Sequence, residues 1–207
     1  TETSFTPTAT SHLVSMPATV DAGDLLLLLY ASSGAVQAIT TPSGWTLLEG
    51  IVNSKAIFGK DAAGTEGGTT VDVVIAGGGT TGAAQVYRIT AASWFGTLGT
   101  GVEVPAEAVV TGSSTPNPPS NTPSWGSADT LWIAIALLDN DDEAVTVYPT
   151  NYTNGIDTLS GGGANLGASL GSARRELAAA SEDPGTFTLT SAADGGAWTL
   201  AVRPAAA

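Results

Sequence analysis

The stretch that decides the fold reads Leu131-Trp132-Ile133-Ala134-Ile135-Ala136-Leu137. Large aliphatic side chains occupy every second position in it, and mostly alanine lies between them. Successive side chains of a β-strand point to opposite faces, so this alternation predicts a strand with one large and one small apolar face. Because neither face is polar, we expect the strand to be central in its sheet and covered on both sides.

A second apolar run, from Leu25 to Tyr30, favours the same architecture. Five consecutive leucines suit a helix by intrinsic propensity, so a short buried helix is the competing interpretation. Gly23 before the run and Gly34 after it limit its length to that of a strand, and we therefore predict a buried strand. Alternation of period two recurs elsewhere in the chain, in residues 84–90 and 186–190. Turns rich in Gly and Pro separate these segments, as is typical of β-sandwiches.

The two halves of the chain carry similar motifs in the same order. Gly23-Asp24-Leu25-Leu26 parallels Ala128-Asp129-Thr130-Leu131, and Pro42-Ser43-Gly44-Trp45 parallels Pro149-Thr150-Asn151-Tyr152. Residues 173–180 favour a helix locally, but the repeat aligns them with a strand-like segment, so we predict a strand there. The sequence therefore predicts an all-β, jelly-roll-like β-sandwich formed from two pseudo-repeated halves, with little or no helix.

The repeat also suggests the domain boundaries. We assign residues 1–11 to a polar N-terminal arm and residues 12–207 to one sandwich, with a first half over 12–104 and a second half over 124–207. Between the halves, residues 105–123 contain too many prolines for a central strand. This stretch is either a flexible interdomain linker or a crossover within one sandwich. We favour the crossover, because one half alone would make a thin core.

Composition excludes several classes of function. The chain has 207 residues, with 6 basic and 19 acidic side chains, a formal net charge of −13 and no cysteine. This acidity predicts repulsion from nucleic acid and from anionic membranes. A Cys-based metal site and a disulfide framework are excluded, and no apolar run reaches the roughly 18 residues of a membrane span. We expect no cofactor and no enzymatic activity.

Two sets of acidic residues are candidates for chemistry. Asp139, Asp141 and Asp142 lie in the densest acidic run, and oxygen ligands at such spacing could hold Ca²⁺. The run lacks the glycine that an EF-hand requires at its sixth position, so we predict a solvated acidic turn instead. Asp24 and Asp129 precede buried strands at equivalent repeat positions, and we interpret them as turn formers rather than as a catalytic carboxylate pair.

The single histidine and two arginines have structural interpretations. His12 has no partner histidine for a metal site, and we expect it on the surface of the N-terminal arm. Arg88 and Arg203 lie at equivalent positions of the repeat, and Glu66 and Glu182 are their expected salt-bridge partners. A contact of these arginines with another subunit is the alternative.

Aromatic residues could form a platform on which sugar rings stack. Trp94 and Phe95 lie in a predicted loop, and Trp45 follows a turn, so these three residues are the candidates. Trp125, Trp132 and Trp198 lie on or beside predicted strands, and we expect them in the core.

The motifs from Pro17 to Leu26, from Pro42 to Leu48, from Ala128 to Ala134 and from Leu200 to Pro204 together carry a family resemblance. In this combination the chain resembles a virion module that recurs in tailed bacteriophages and gene transfer agents, from about residue 11 to 204. Members of that family are head decoration proteins, head-spike subunits or pieces of tail fibres. The resemblance implies a virion component and carries over no active site.

The resemblance and the composition lead to one functional hypothesis. We expect a capsid decoration or cement protein on the outside of a phage-like head, with the major capsid protein or another virion protein as partner and with a homo-oligomer on the particle. The N-terminal arm is too polar for a core, so Thr1, Glu2, Thr3, Ser4 and Phe5 are its predicted contacts with the capsid or a neighbouring subunit. The alternative is a glycan-binding head-spike or tail-fibre module.

Overall fold

The computed structural model describes residues 1–34, 38–51, 54–140, 142–162 and 166–206. Helix is confined there to one turn over Ala91–Ser93 and to α1 (Leu98–Gly101). The first half of the chain forms eight strands: β1 (Glu2–Ala9), β2 (Ser11–Ser15), β3 (Ala22–Ser32), β4 (Ala38–Thr40), β5 (Thr46–Ile51), β6 (Lys55–Ala63), β7 (Thr70–Ala76) and β8 (Thr80–Ile89). The remaining eight strands, which we count with the second half although β9 and β10 precede residue 124, are β9 (Val102–Glu103), β10 (Ala108–Ser113), β11 (Ala128–Asn140), β12 (Val145–Val147), β13 (Thr153–Leu159), β14 (Gly167–Ala179), β15 (Thr188–Leu189) and β16 (Ala193–Val202).

Each half forms one large antiparallel sheet and one small sheet. The first large sheet has the strand order β1-β8-β3-β6-β5, and the second has the order β10-β16-β11-β14-β13, with β9 beside β16. Strand for strand, the two orders are the same. The small sheets are β2-β7-β4 in the first half and β12-β15 in the second. The all-β sandwich with two pseudo-repeated halves is therefore confirmed.

The main core lies between the two large sheets. Leu25, Leu27 and Leu29 of β3 pack there with Ile133, Ile135 and Leu137 of β11, and all six are fully buried. The intervening side chains of both strands face away from this core. Those of β3 are buried under the small sheet β2-β7-β4, and those of β11 are buried under Val145 of β12 and under Tyr152 and Phe187. Both apolar runs are therefore central strands covered on both sides, as their sequences predict.

The pairing register corrects the alignment of the two halves. Leu25 lies opposite Ile89 and Asp61, whereas Leu131 lies opposite Val202 and Glu176. Both pairs, Leu25 with Ile89 and Leu131 with Val202, belong to the main core, so Leu25 corresponds to Leu131. The residue before each leucine, Asp24 in β3 and Thr130 in β11, then aligns, and Asp129 does not align with Asp24. The Asp-based alignment is wrong by one residue, and a slip of one residue in a strand moves every side chain to the other face.

Residues 173–180 show tertiary structure overriding local propensity. Strand β14 covers all of them but the last and is paired along its whole length with β11. Its first part also pairs with β13, so ladder hydrogen bonds are made on both sides. The predicted strand is confirmed.

The proline-rich stretch is attached to the second half. Phe187 N–H donates to Pro116 O at 2.9 Å, and Thr199 Oγ1 donates to Pro119 O at 2.6 Å. The buried Asn121 bridges to Glu182 through two backbone hydrogen bonds, and its side chain donates to Glu103 O and Thr199 O. Within the stretch, β10 pairs with β16 at the edge of the sheet, and these bonds satisfy the proline-containing residues that follow it.

Candidate functional site

The N-terminal arm is an edge strand of its own chain. Strand β1 pairs with β8, and the Thr1 ammonium group donates to Val86 O at 2.9 Å. Glu2 accepts a hydrogen bond from Thr158 Oγ1 of the second half at 3.1 Å, and Phe5 is half-buried. The order of this segment therefore has an internal cause. The predicted external contacts of Thr1, Glu2, Thr3, Ser4 and Phe5 stay a prediction.

His12 is buried, which corrects its expected surface position. Its Nε2–H donates to Thr80 O at 3.0 Å, and its Nδ1 lies 2.6 Å from the Tyr30 hydroxyl. The ring stacks on Phe5 with centroids 4.3 Å apart. Burial lowers the pKa of His12, and the Thr80 carbonyl and the Asp72 charge offset only part of that effect. The residue is therefore a neutral core histidine at pH 7.

Gly82 makes room for this histidine. A Cβ atom at position 82 would lie 2.7 Å from His12 Nδ1, closer than side-chain atoms pack. The sequence offered no signal for this contact, because the two residues are brought together only by the pairing of distant strands.

The predicted sugar platform is not formed by the two tryptophans. Trp94 is buried in the main core, where its Nε1–H donates to Gly23 O at 2.9 Å, and Trp45 is buried beneath the small sheet of the first half. Phe95 is exposed, but the Arg203 guanidinium lies 3.9 Å from its ring centroid. Trp132 and Trp198 are fully buried as expected, and Trp125 is partly buried at the outer core.

Asp139, the first residue of the acidic run, is buried, whereas we predicted a solvated turn. Asp139 is buried at the end of β11, where one of its carboxylate oxygens lies 3.4 Å from the buried Lys55 Nζ. Glu107 Oε1 lies 3.9 Å from the same ammonium group. Asp142 accepts hydrogen bonds from the Ser160 hydroxyl and the Gly161 N–H, and Asp141 lies outside the described residues.

Glu107 approaches the same ammonium group as Asp139, and its charge in turn acts on Glu49. Burial raises the pKa of Glu107, the Lys55 charge lowers it and the Asp139 charge raises it. Burial and the charge of Glu107 raise the pKa of Glu49. Within the described ranges, no cluster of three or more His, Cys, Asp or Glu side chains is placed to hold a metal ion.

Arg88 pairs with aspartates, which corrects the expected pairing with Glu66. Its guanidinium donates to Asp24 and to Asp21, the latter at 2.6 Å. Asp24 also accepts from the N–H groups of Asp21 and Ala91, so its predicted role in a turn is confirmed. Burial by itself would raise the pKa of Asp24, but these hydrogen bonds outweigh burial and lower it.

Arg203 stacks on Phe95 and does not pair with Glu182. Glu66 instead pairs with Lys60, at 2.9 Å, and Glu182 pairs with Arg175, at 3.0 Å. Both glutamates are buried, so each ion pair joins a loop to a strand of the same half.

A polar network that the sequence did not reveal crosses the main core. Buried Gln85 of the first half donates to Leu170 O at 3.0 Å and to Thr158 Oγ1 at 3.1 Å. The Ser172 hydroxyl donates to Gln85 Oε1 and lies 2.6 Å from the Tyr87 hydroxyl. Because these groups are satisfied only by the opposite sheet, the network specifies how the two halves dock.

A broad, weakly charged face lies on the outside of the small sheet β2-β7-β4. Alternation along its strands turns His12, Val73 and Ile75 inward and leaves the opposite side chains in solvent. We call the outward side the small-sheet face, and its residues are Ser11, Leu13, Ser15, Ala38, Thr40, Thr70, Asp72, Val74 and Ala76. Leu13 is 57% exposed and Val74 is 41% exposed, and Asp72 is the only charged member, with a hydrogen bond from Ser11.

No helix among the described residues is long and apolar enough to cross a membrane. Comparison of the chain with protein-family models, with curated proteins and with solved structures finds no match. The resemblance to phage virion proteins therefore rests on the quoted motifs alone.

Proposed function

We propose that the chain is a non-enzymatic virion structural protein that binds the outside of a phage-like head as a decoration or cement protein. The observation that carries this proposal is the small-sheet face. It combines hydroxyl and alanine side chains with exposed Leu13 and Val74, and it has one charge in a chain whose net charge is −13. A face of this kind suits burial against another protein.

The mechanism is linkage between binding and assembly. A protein that binds only the assembled shell shifts the equilibrium toward that shell. Because the chain is strongly acidic, its partner surface should carry few carboxylates. Exposed Leu13 would be buried on docking and would contribute through its apolar area.

The test is co-sedimentation of the purified chain with capsids from which it has been stripped. We expect saturable binding that raises the temperature at which the capsids disassemble. Leu13→Asp should weaken binding about tenfold or more, because it places a charge in the docked surface. Val147→Asp is the matched control, because Val147 is 55% exposed on the small sheet of the second half.

Equal loss of binding in both variants, or no binding to capsids at all, would contradict the proposal. The alternative, a glycan-binding spike or fibre module, predicts binding to whole host cells that soluble sugar competes away. Two of the three residues of its predicted platform, Trp45 and Trp94, are buried, and Arg203 stacks on the third, Phe95.

A further inference from the structure

One basic side chain differs from the other five. Lys55, Lys60, Arg88 and Arg175 each form at least one ion pair, and Arg203 stacks on Phe95. Over the residues that the structure describes, the Arg174 guanidinium has no ion pair and no hydrogen bond, and Arg174 is exposed. In a chain with a net charge of −13, an unpaired guanidinium is unexpected.

Arg174 lines a cleft of about 380 Å³ at one end of the sandwich. Strand β8 of the first half and strands β11, β14 and β16 of the second half all contribute to its wall. Ile89, Leu131 and Val202 supply its apolar surface. The cleft volume lies at the low end of the range for ligand sites, roughly 300–1,000 Å³, which suits a small molecule.

Two carboxylates face the same cleft. Glu176 is two residues from Arg174 on β14, so both point to one face, and Leu131 lies directly opposite Glu176. Asp129 is two residues from Leu131 on β11 and shares that face. In the described part of the chain, the carboxylates of Asp129 and Glu176 have no ion pair and no hydrogen bond, and both residues are exposed.

We propose that this cleft binds a zwitterion in which a carboxylate is joined to a cationic group, as in lysine, free or as the C-terminal residue of a peptide. Arg174 receives the carboxylate, because a guanidinium binds that group through two parallel hydrogen bonds. Asp129 and Glu176 accept hydrogen bonds from the ammonium groups. The inference does not depend on the proposed virion function.

Charge balance selects this ligand class. Arg88 also lines the cleft, but its guanidinium is already paired with Asp21 and Asp24. The charges of Arg174, Asp129 and Glu176 then sum to one negative charge, so a basic amino acid with one net positive charge complements them. Two carboxylates at the rim repel phosphates and other polyanions, and Arg174 repels a polyamine that has no carboxylate. The alkyl chain of lysine would lie on Leu131 and Pro204, which are partly exposed in the cleft.

The test is titration of the intact protein with L-lysine, followed by amide chemical shifts and by calorimetry. We expect saturable binding with Kd on the order of 1 mM and shifts centred on Ile89, Leu131 and Arg174. Lysinamide, which lacks the carboxylate, should bind about tenfold more weakly, and so should lysine to the Arg174→Gln variant. Arg175→Gln, on the opposite face of the same strand, is the control and should bind lysine normally.

A peptide that ends in lysine separates the two sources of the ligand. Tighter binding of that peptide than of free lysine, abolished by C-terminal amidation, assigns the site to a chain terminus; the reverse order assigns it to the free amino acid. Absence of saturable binding, equal binding of lysine and lysinamide, or unchanged binding by Arg174→Gln would overturn the proposal. Stronger binding of glucuronate than of lysine would also overturn it and would indicate an acidic-sugar site.

Discussion

Lys60 of the first half and Arg175 of the second half occupy equivalent positions, opposite Leu26 and Trp132, and each forms an ion pair with a buried glutamate. The glutamates, Glu66 and Glu182, lie in the loops that follow the two strands. An ion pair that recurs at the same place in both halves is a structural element of the repeat. It holds the loop after β6 or β14 against the sheet.

Glu66→Gln should lower the free energy of unfolding at pH 7 by about 2–3 kcal/mol, because it leaves Lys60 without its charged partner. Glu66 also accepts hydrogen bonds from the N–H groups of Ala63, Gly64 and Thr65. Burial alone would raise the pKa of Glu66, but these bonds and Lys60 lower it to about 2. Urea unfolding measures the change, with the exposed Asp61→Asn as the control.

The lowered pKa of Glu66 also predicts that the protein loses stability in acid. A carboxyl with a lowered folded-state pKa contributes stability that is complete above its unfolded pKa, about 4.5, and is lost as pH falls toward about 2. In the wild type we expect roughly 3 kcal/mol of this loss to come from Glu66. If the Glu66→Gln variant loses as much stability over that range as the wild type, this assignment is wrong.

The contribution of Asp157 to stability should depend on pH with the opposite sign. Burial raises the pKa of Asp157 to about 6, the Val145 N–H lowers it and the nearby Glu2 charge raises it. One of its oxygens is buried without a hydrogen-bond partner among the described residues. A raised folded-state pKa contributes stability that is present below the unfolded pKa, about 3.8, and is lost as pH rises through about 6.

Asp157→Asn should therefore raise the free energy of unfolding at pH 7 by about 1–2 kcal/mol and flatten its dependence on pH between about 4 and 6. Thermal unfolding at several pH values tests this. The exposed Asp183→Asn should leave the profile unchanged. A lower stability of the Asp157→Asn variant at pH 7 would show that the carboxylate is better satisfied than its burial implies.

Two leucines give a matched test of the main core. Leu27 is fully buried between the large sheets, whereas Leu13 is 57% exposed on the small-sheet face. Leu27→Ala should cost about 2–5 kcal/mol through lost burial and the cavity left behind. Leu13→Ala should change stability by less than about 0.5 kcal/mol. Similar effects of the two substitutions on the denaturation midpoint would contradict the packing described.

The network across the main core can be tested by a double-mutant cycle. Gln85→Ala and Ser172→Ala each remove one member of a hydrogen-bonded pair that joins the two sheets. Each change should cost about 1–3 kcal/mol, because it leaves buried polar groups unsatisfied. A coupling energy of about 0.5–3 kcal/mol is expected from unfolding of the single and double variants. If the two single changes in unfolding free energy add up to that of the double variant, the two side chains act independently.

Part of the candidate site followed from the sequence and part did not. The turn role of Asp24 was predictable, because an Asp before a strand bonds its own backbone. The burial of Trp45 and Trp94 was not, because a tryptophan after a turn or in a loop is exposed or covered according to which distant strand lies over it. Arg174 stands out only in three dimensions, where four of the other basic side chains form ion pairs and Arg203 stacks on Phe95.

The sequence by itself determined the β-class, the central strands β3 and β11 and the two-part repeat, because side-chain alternation and turn chemistry are local properties. Only the tertiary structure decided which faces meet. Register sets the face of every side chain, and a shift of one residue exchanges core for surface. The Asp24–Asp129 alignment failed for this reason, and the burial of His12 and the joining of Lys55 to Asp139 depend on contacts between strands far apart in the chain.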